Sequence, residues 1–395
     1  MFVPARGVRG KEEGLIYFDN AATGGRKPDS VVRAVEASIS GTCANPGRSG
    51  HALASAQGEN VRACRKLLCS FFGGESEERV ILTKNCTEAL NIALFGAARA
   101  PLRTLHGKKP HIVTTEAEHN SVLRPLYWLE GAGEIELTVV RAEGGNVSPQ
   151  SIAAACRENT AAAAFTLASN VTGAEIDPAA VRALLPDGVL TVCDGAQAGG
   201  HIPIRMRESG IDALCLAGHK GLHGIQGSGA LLLSERFSPP PLLHGGSGSE
   251  SENHSMPAFY PDRLEAGTLS CPAAAALREG VLYLMPRMEQ NAARLLRLTA
   301  LLAEGLRGVR GVRLFSRPNR CGILSFRSER MSSELLAQAL SDDYAVAVRG
   351  GLHCAPLMHR ALGTLGEGLV RASLSEFNTE EEVRAFVGAV DALCS

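Results

Sequence analysis

Short strand-like runs, rich in apolar residues, recur along the first two thirds of the chain, at residues 80–83, 111–114, 135–140, 163–167, 190–193, 213–216 and 229–233. Runs this short and this rich in apolar residues predict the strands of a largely buried sheet. Between them lie stretches of helical character, such as 87–100 and 178–185. Strands alternating with helices predict an α/β chain whose mostly parallel sheet is flanked by helices. The segment 239–257 breaks this rhythm with a proline run and Gly245-Gly246-Ser247-Gly248-Ser249, which predicts a long mobile loop. Beyond Cys271 the pattern changes. A long helix is expected at 288–306, strands at 322–326 and 345–348, and Thr379-Glu380-Glu381-Glu382 has the form of a capping box opening a last helix. The expected organisation is a flexible segment at 1–14, a large domain at 15–270 and a smaller α+β domain at 271–395.

Composition narrows the class. A chain of 395 residues, 45% hydrophobic and 21% charged, is long enough for two cores and ordinary for a globular protein. A net charge of −1 without a long basic run argues against nucleic acid as a partner. No stretch reaches the roughly 18–20 apolar residues that cross a bilayer, and the first residues lack the apolar core of a secretion signal. Eleven cysteines are too scattered for a disulfide scaffold. The nearest pair, Cys64 and Cys69, lacks zinc-ligand spacing, and Cys193 and Cys215 read as small core residues. A reducing cytoplasm is the expected location, with no metal and no membrane contact.

Candidate chemistry gathers at strand ends. Asp194-Gly195-Ala196-Gln197 and Gly218-His219-Lys220 each follow an apolar run, so an acid and an amine emerge where open α/β sheets bind ligands. Such a pair suits pyridoxal 5'-phosphate: the lysine forms a Schiff base, and the carboxylate keeps the pyridine nitrogen protonated. A surface lysine and an Asp-Gly turn are the bland alternatives. Lysine at a buried strand end would have the lowered pKa that Schiff-base chemistry needs. Asn85-Cys86-Thr87-Glu88 opens a helix whose backbone N–H groups, with the Thr87 hydroxyl, suit a phosphate; an ordinary N-cap is the alternative. The glycine-rich stretch 224–229 is not a nucleotide loop, because no Gly-Lys-Ser/Thr follows. His119 follows a strand and could stack on the pyridine, although a lone loop histidine is commonly just exposed. Arg371 interrupts an apolar strand, which implies an anionic partner, either a substrate carboxylate or an internal acid. Cys354 lies in Arg349-Gly350-Gly351-Leu352-His353-Cys354, where Arg349 and His353 can favour a thiolate and the glycines a flexible loop. None of the other ten cysteines has such neighbours.

These residues together resemble aminotransferase class V, and within it the second group of cysteine desulfurases and selenocysteine lyases, whose cysteine follows an Arg-x-Gly-x-His pattern. The likeness runs from Tyr17-Phe18-Asp19-Asn20-Ala21-Ala22 to Arg371-Ala372-Ser373 and Asn378-Thr379-Glu380-Glu381. It implies a fold-type I pyridoxal phosphate enzyme acting as a homodimer on L-cysteine or L-selenocysteine, with a sulfur-acceptor protein as a further partner. By position, Lys220 would be the Schiff-base lysine, Asp194 would face the pyridine nitrogen, Gln197 the phenolate oxygen and His119 the ring face. Asn170 would line the site. Thr87, the Cys86 backbone and His219 would hold the phosphate, joined by Thr268 of the other subunit. Arg371 would bind the substrate carboxylate, with Arg349 and His51 close to the reacting group, and Cys354 would carry the persulfide. Three departures stand out: Ala217 in place of a phosphate-binding serine, Cys86 where a hydroxyl residue is frequent, and Leu352 in place of a second loop histidine. A selenocysteine lyase, an aminotransferase or epimerase in which Cys354 is incidental, and a non-catalytic cofactor-binding or sulfur-carrier protein are the rival readings.

Overall fold

The computed structural model describes residues 14–41, 44–47, 49–101 and 107–395. The expected flexible segment 1–14 lies, apart from Gly14, outside them. After the two-residue strand Ile16–Tyr17 (β1) come seven strands of one sheet: Val80–Thr83 (β2), His111–Thr115 (β3), Glu136–Val140 (β4), Thr160–Thr166 (β5), Leu190–Asp194 (β6), Ala213–Ala217 (β7) and Gly229–Leu233 (β8). Their order is β2-β8-β7-β6-β5-β3-β4. All run parallel except β8, which is antiparallel to both neighbours. Successive side chains point to opposite faces. Val113, Ala163, Phe165 and Leu214 accordingly join one apolar core, and Ile112, Ala162, Ala164 and Cys215 the other. Helices cover both.

The strand expected at 163–167 begins three residues earlier. Thr160–Thr166 carries four consecutive alanines, which read as helical by propensity. With every residue of β5 buried, small side chains on both faces let the covering helices approach, and packing overrides propensity.

A second sheet of three antiparallel strands, Val312–Leu314 (β9), Ile323–Ser328 (β10) and Val370–Ser373 (β12), lies in the order β12-β10-β9. Between the last two falls the short strand Val346–Ala347 (β11), which pairs parallel with β1. β11 is shorter than the expected 345–348 because Ala345 sits in the left-handed region (φ +52°) and ends the helix Ser333–Tyr344. Helices Met288–Arg307 and Glu380–Cys394 cover this sheet, and the latter opens with the expected Thr379–Glu382 capping box. The two bodies interlock. Ile16 and Phe18 sit in the core of the smaller sheet, while Cys271–Leu284 packs into that of the large one.

Candidate active site

Three strand ends and one helix start converge on a cavity of about 230 Å³. It is lined by Asn85, Cys86, Thr87, His119, Asn170, Asp194, Gln197, Ala217, His219, Lys220, Arg349, His353 and Arg371, among others. Ten sequence-derived candidates therefore meet in one place. Asp194 is the last residue of β6, and Lys220 follows β7 by three residues. Gly218, between β7 and Lys220, is required sterically, because a Cβ there would run into Ser228.

Burial is the main force on the titrating groups. It lowers the Lys220 pKa against the opposing pull of Asp194, which favours the neutral, nucleophilic amine. The Asp194 Oδ1 accepts from the Ala196 N–H at 2.8 Å and from the Cys86 thiol at 3.6 Å. Burial raises the Cys86 pKa well above that of a free thiol, so this cysteine stays protonated and donates. Its side chain thus serves the carboxylate, while its backbone opens the helix Cys86–Arg99 at the cavity.

His119 caps the helix Asn120–Gly131, its Nδ1 accepting from the Ser121 N–H at 3.0 Å. Burial pushes the ring down to about 4, so it is neutral and its proton sits on Nε2. Ser121, missed in the sequence, joins His119 to Thr87 through a 2.9 Å contact between hydroxyls. His219 is likewise neutral, lowered to about 4 by burial and then by Lys220 and Lys27. Thr23 holds its Nδ1 at 3.0 Å, and Lys27 donates to its carbonyl.

Arg371 has an internal partner. Its Nη2 lies 3.0 Å from Asp19 Oδ1, and Nη1 donates to the Asn170 carbonyl at 3.0 Å. Its Nε, and Oε1 of Gln197, are buried without partners. Gln197 spends an amide proton on the Ala21 carbonyl, 3.1 Å away.

Cys354 is exposed, with its sulfur 3.8 Å from Arg349 Nη2. The expectation that His353 also supplies positive charge needs correction. Its ring is 2% exposed and pushed down to about 2 by burial and by Arg371, so it is neutral; the cation in contact with the sulfur is Arg349. The glycines do not leave the loop loose either. Asn120 N–H donates to the Cys354 carbonyl and Asn170 Nδ2 to the His353 carbonyl, both at 2.7 Å, and Gly351 pairs with Leu369 in both directions.

Two candidates stand elsewhere on this chain. His51 is an exposed cap of the helix Ala52–Phe72. Thr268 lines a separate cavity with Leu243, Leu264, Lys84 and Glu88.

The chain belongs to the aminotransferase class-V family, which it matches over residues 16–386. A probable cysteine desulfurase of Methanothermobacter thermautotrophicus is 32% identical over 382 residues, covering 93% of this chain and 92% of the relative. Probable cysteine desulfurase 2 of Mycobacterium leprae is 33% identical over 402 residues, with 98% and 93% covered. The apo structure of a cysteine desulfurase from Thermococcus onnurineus superposes with a TM-score of 0.85 at 28% identity, covering 96% of this chain and 94% of that one. The sheet order and flanking helices are those of fold type I. Among the described residues, no helix is long and apolar enough to cross a membrane.

Proposed function

We propose that the protein is a pyridoxal 5'-phosphate-dependent cysteine desulfurase: L-cysteine and the Cys354 thiol give L-alanine and a Cys354 persulfide. The observation that carries this reading is an exposed thiol, beside a guanidinium, on a loop whose preceding residue walls the Lys220–Asp194 cavity. The relatives' names and the matching fold point the same way.

The donor set suits the cofactor. Lys220 would hold it covalently, Asp194 would keep a proton at the ring nitrogen, and the second Gln197 amide proton is free for a phenolate. Thr87, the first N–H groups of Cys86–Arg99 and His219 suit a phosphate; Ala217 offers that phosphate no hydroxyl. When bound, the cofactor supplies an electron sink for the substrate α-carbon.

The chain's own groups do the rest. Arg371, with Nε still unpartnered, would orient the substrate carboxylate. Lys220 Nζ, kept neutral by burial, takes the α-proton. Sγ of Cys354 bonds to the substrate sulfur as the carbon–sulfur bond breaks. That bond's electrons stay with the β-carbon, which takes up the proton that the Cys354 thiol gave up, and Lys220 returns the α-proton so that alanine leaves. Because Cys354 is exposed, an acceptor thiol can reach the persulfide without the loop unfolding. We place the enzyme in the cytoplasm as a homodimer, with Thr268 and His51 serving the partner's site.

The test is turnover of L-cysteine, L-cysteine sulfinate and L-selenocysteine, with alanine, sulfide and selenide measured. Stoichiometric alanine and thiol-bound sulfur from L-cysteine are expected. Transamination products with no sulfur released would make Cys354 incidental.

A further inference from the structure

Behind Cys354, a line of buried polar side chains leads away from the cavity. His353 Nε2 lies 3.1 Å from the Arg349 carbonyl oxygen, which can only accept, so Nε2 carries a proton. The ring is neutral, and its Nδ1 is therefore a bare acceptor. Facing it at 3.3 Å is His359 Nε2, which must donate. Burial holds His359 neutral as well, pushed down to about 4. Its Nδ1 then needs a donor, and the Thr364 hydroxyl at 2.9 Å provides one. The chain runs one way, Thr364 to His359 to His353 to the Arg349 carbonyl, with each ring nitrogen partnered. All three side chains are at most 2% exposed, and the imidazole planes lie within 22° of each other with centroids 5.5 Å apart, as an end-to-end hydrogen bond requires.

We propose that this hydrogen-bond chain, with His359 as its central positioning residue, fixes the loop that aims the Cys354 sulfur. The loop needs holding. His353 and Cys354 both sit in the left-handed region, at φ +52° and +57°, a conformation that costs side-chain-bearing residues energy and persists only under constraint. Asn120 and Asn170 grip the two carbonyls. The imidazole of His353 is the grip on the other side, and His359 is what saturates it. Without His359, a buried acceptor would be stranded at Nδ1. His359 itself is fixed by the helix Pro356–Ala361, whose Met358 is buried in the large core, so the core sets the loop through one ring.

The functional consequence rests on Cys354 being the nucleophile; the positioning does not. The experiment compares His359→Leu, His359→Gln and Thr364→Val in the cofactor-loaded protein, reading amide hydrogen exchange across residues 350–355 and L-cysteine kinetics. Glutamine places a donor N–H where His359 Nε2 stands. His359→Leu should speed exchange about tenfold, the scale of one buried hydrogen bond. It should also lower kcat by about tenfold or more, with KM and cofactor absorbance unchanged, as misplacing a reacting atom does. Thr364→Val should change both less, and His359→Gln should stay near wild type. Exchange and kcat unchanged in His359→Leu, or a glutamine variant as impaired as leucine, would overturn the proposal. Faster exchange in His359→Leu with no desulfuration by any form, wild type included, would leave the positioning intact and remove the desulfurase reading instead.

Discussion

Arg371 shows how little a residue's type alone decides. An arginine in an apolar strand implied an anion, and two anions were open: a substrate carboxylate or an internal acid. The structure supplies the internal one, Asp19, yet leaves the guanidinium Nε buried and unpartnered. Arg371→Lys keeps the charge and loses the planar fork. We expect KM for L-cysteine to rise about tenfold or more while kcat and cofactor content change little, measured by steady-state kinetics and absorbance. An unchanged KM would assign Arg371 to the Asp19 pair alone. The residues that meet in the candidate site were legible because Lys220 and Cys86 follow, and Asp194 ends, strands that hydrophobic pattern reveals. The Cys86 thiol on Asp194, the Ser121 bridge and the His353–His359 contact were not. They join side chains by directions in space that no spacing along the chain encodes, and the neutrality of His353 follows from burial that only the fold creates.

Strand ends carry the next level. β3 and β5 are neighbours, and Glu118 fastens their ends: its Oε1 accepts from Thr115 Oγ1 at 2.6 Å and from the Thr166 N–H at 3.1 Å. The side chain is fully buried, and its Oε2 has no partner. Burial raises its pKa to about 8, with Asp194 adding to the rise and the two hydrogen bonds opposing it. A carboxyl raised above its unfolded value makes the folded state bind the extra proton. Its stabilising contribution is full below about pH 4 and is lost as pH climbs through about 8, at up to about 1.4 kcal/mol per unit. Glu118→Gln, isosteric and uncharged, removes that slope. In urea melts from pH 5 to pH 8 the variant should gain steadily on wild type; parallel curves would mean that Glu118 is not held protonated. Strand positions themselves were readable from apolar runs to within about three residues. The antiparallel direction of β8 was not, since a strand buried on both faces has the same pattern whichever way it runs.

At the scale of the whole molecule, Thr268 and His51 are the residues that one chain does not bring to the cavity. In the proposed homodimer both would serve a site completed across an interface, and Thr268 shares its cavity with exposed Leu243. A mixed dimer tests this. Lys220→Ala and Thr268→Asp homodimers should each be impaired. Co-assembled, they should regain activity, because one subunit supplies the intact lysine and the other the intact threonine to the same site. No recovery on mixing would put Thr268 in its own chain's economy of contacts.

The proposed chemistry ends on one sulfur atom, and mass spectrometry of the protein after exposure to L-cysteine locates it. One added sulfur is expected on the peptide bearing Cys354 in the wild type. None is expected in Lys220→Ala, where the α-carbon is never activated, and neither persulfide nor alanine in Cys354→Ala. Sulfur carried on a different cysteine, or undiminished alanine release from Cys354→Ala, would contradict a Cys354 persulfide.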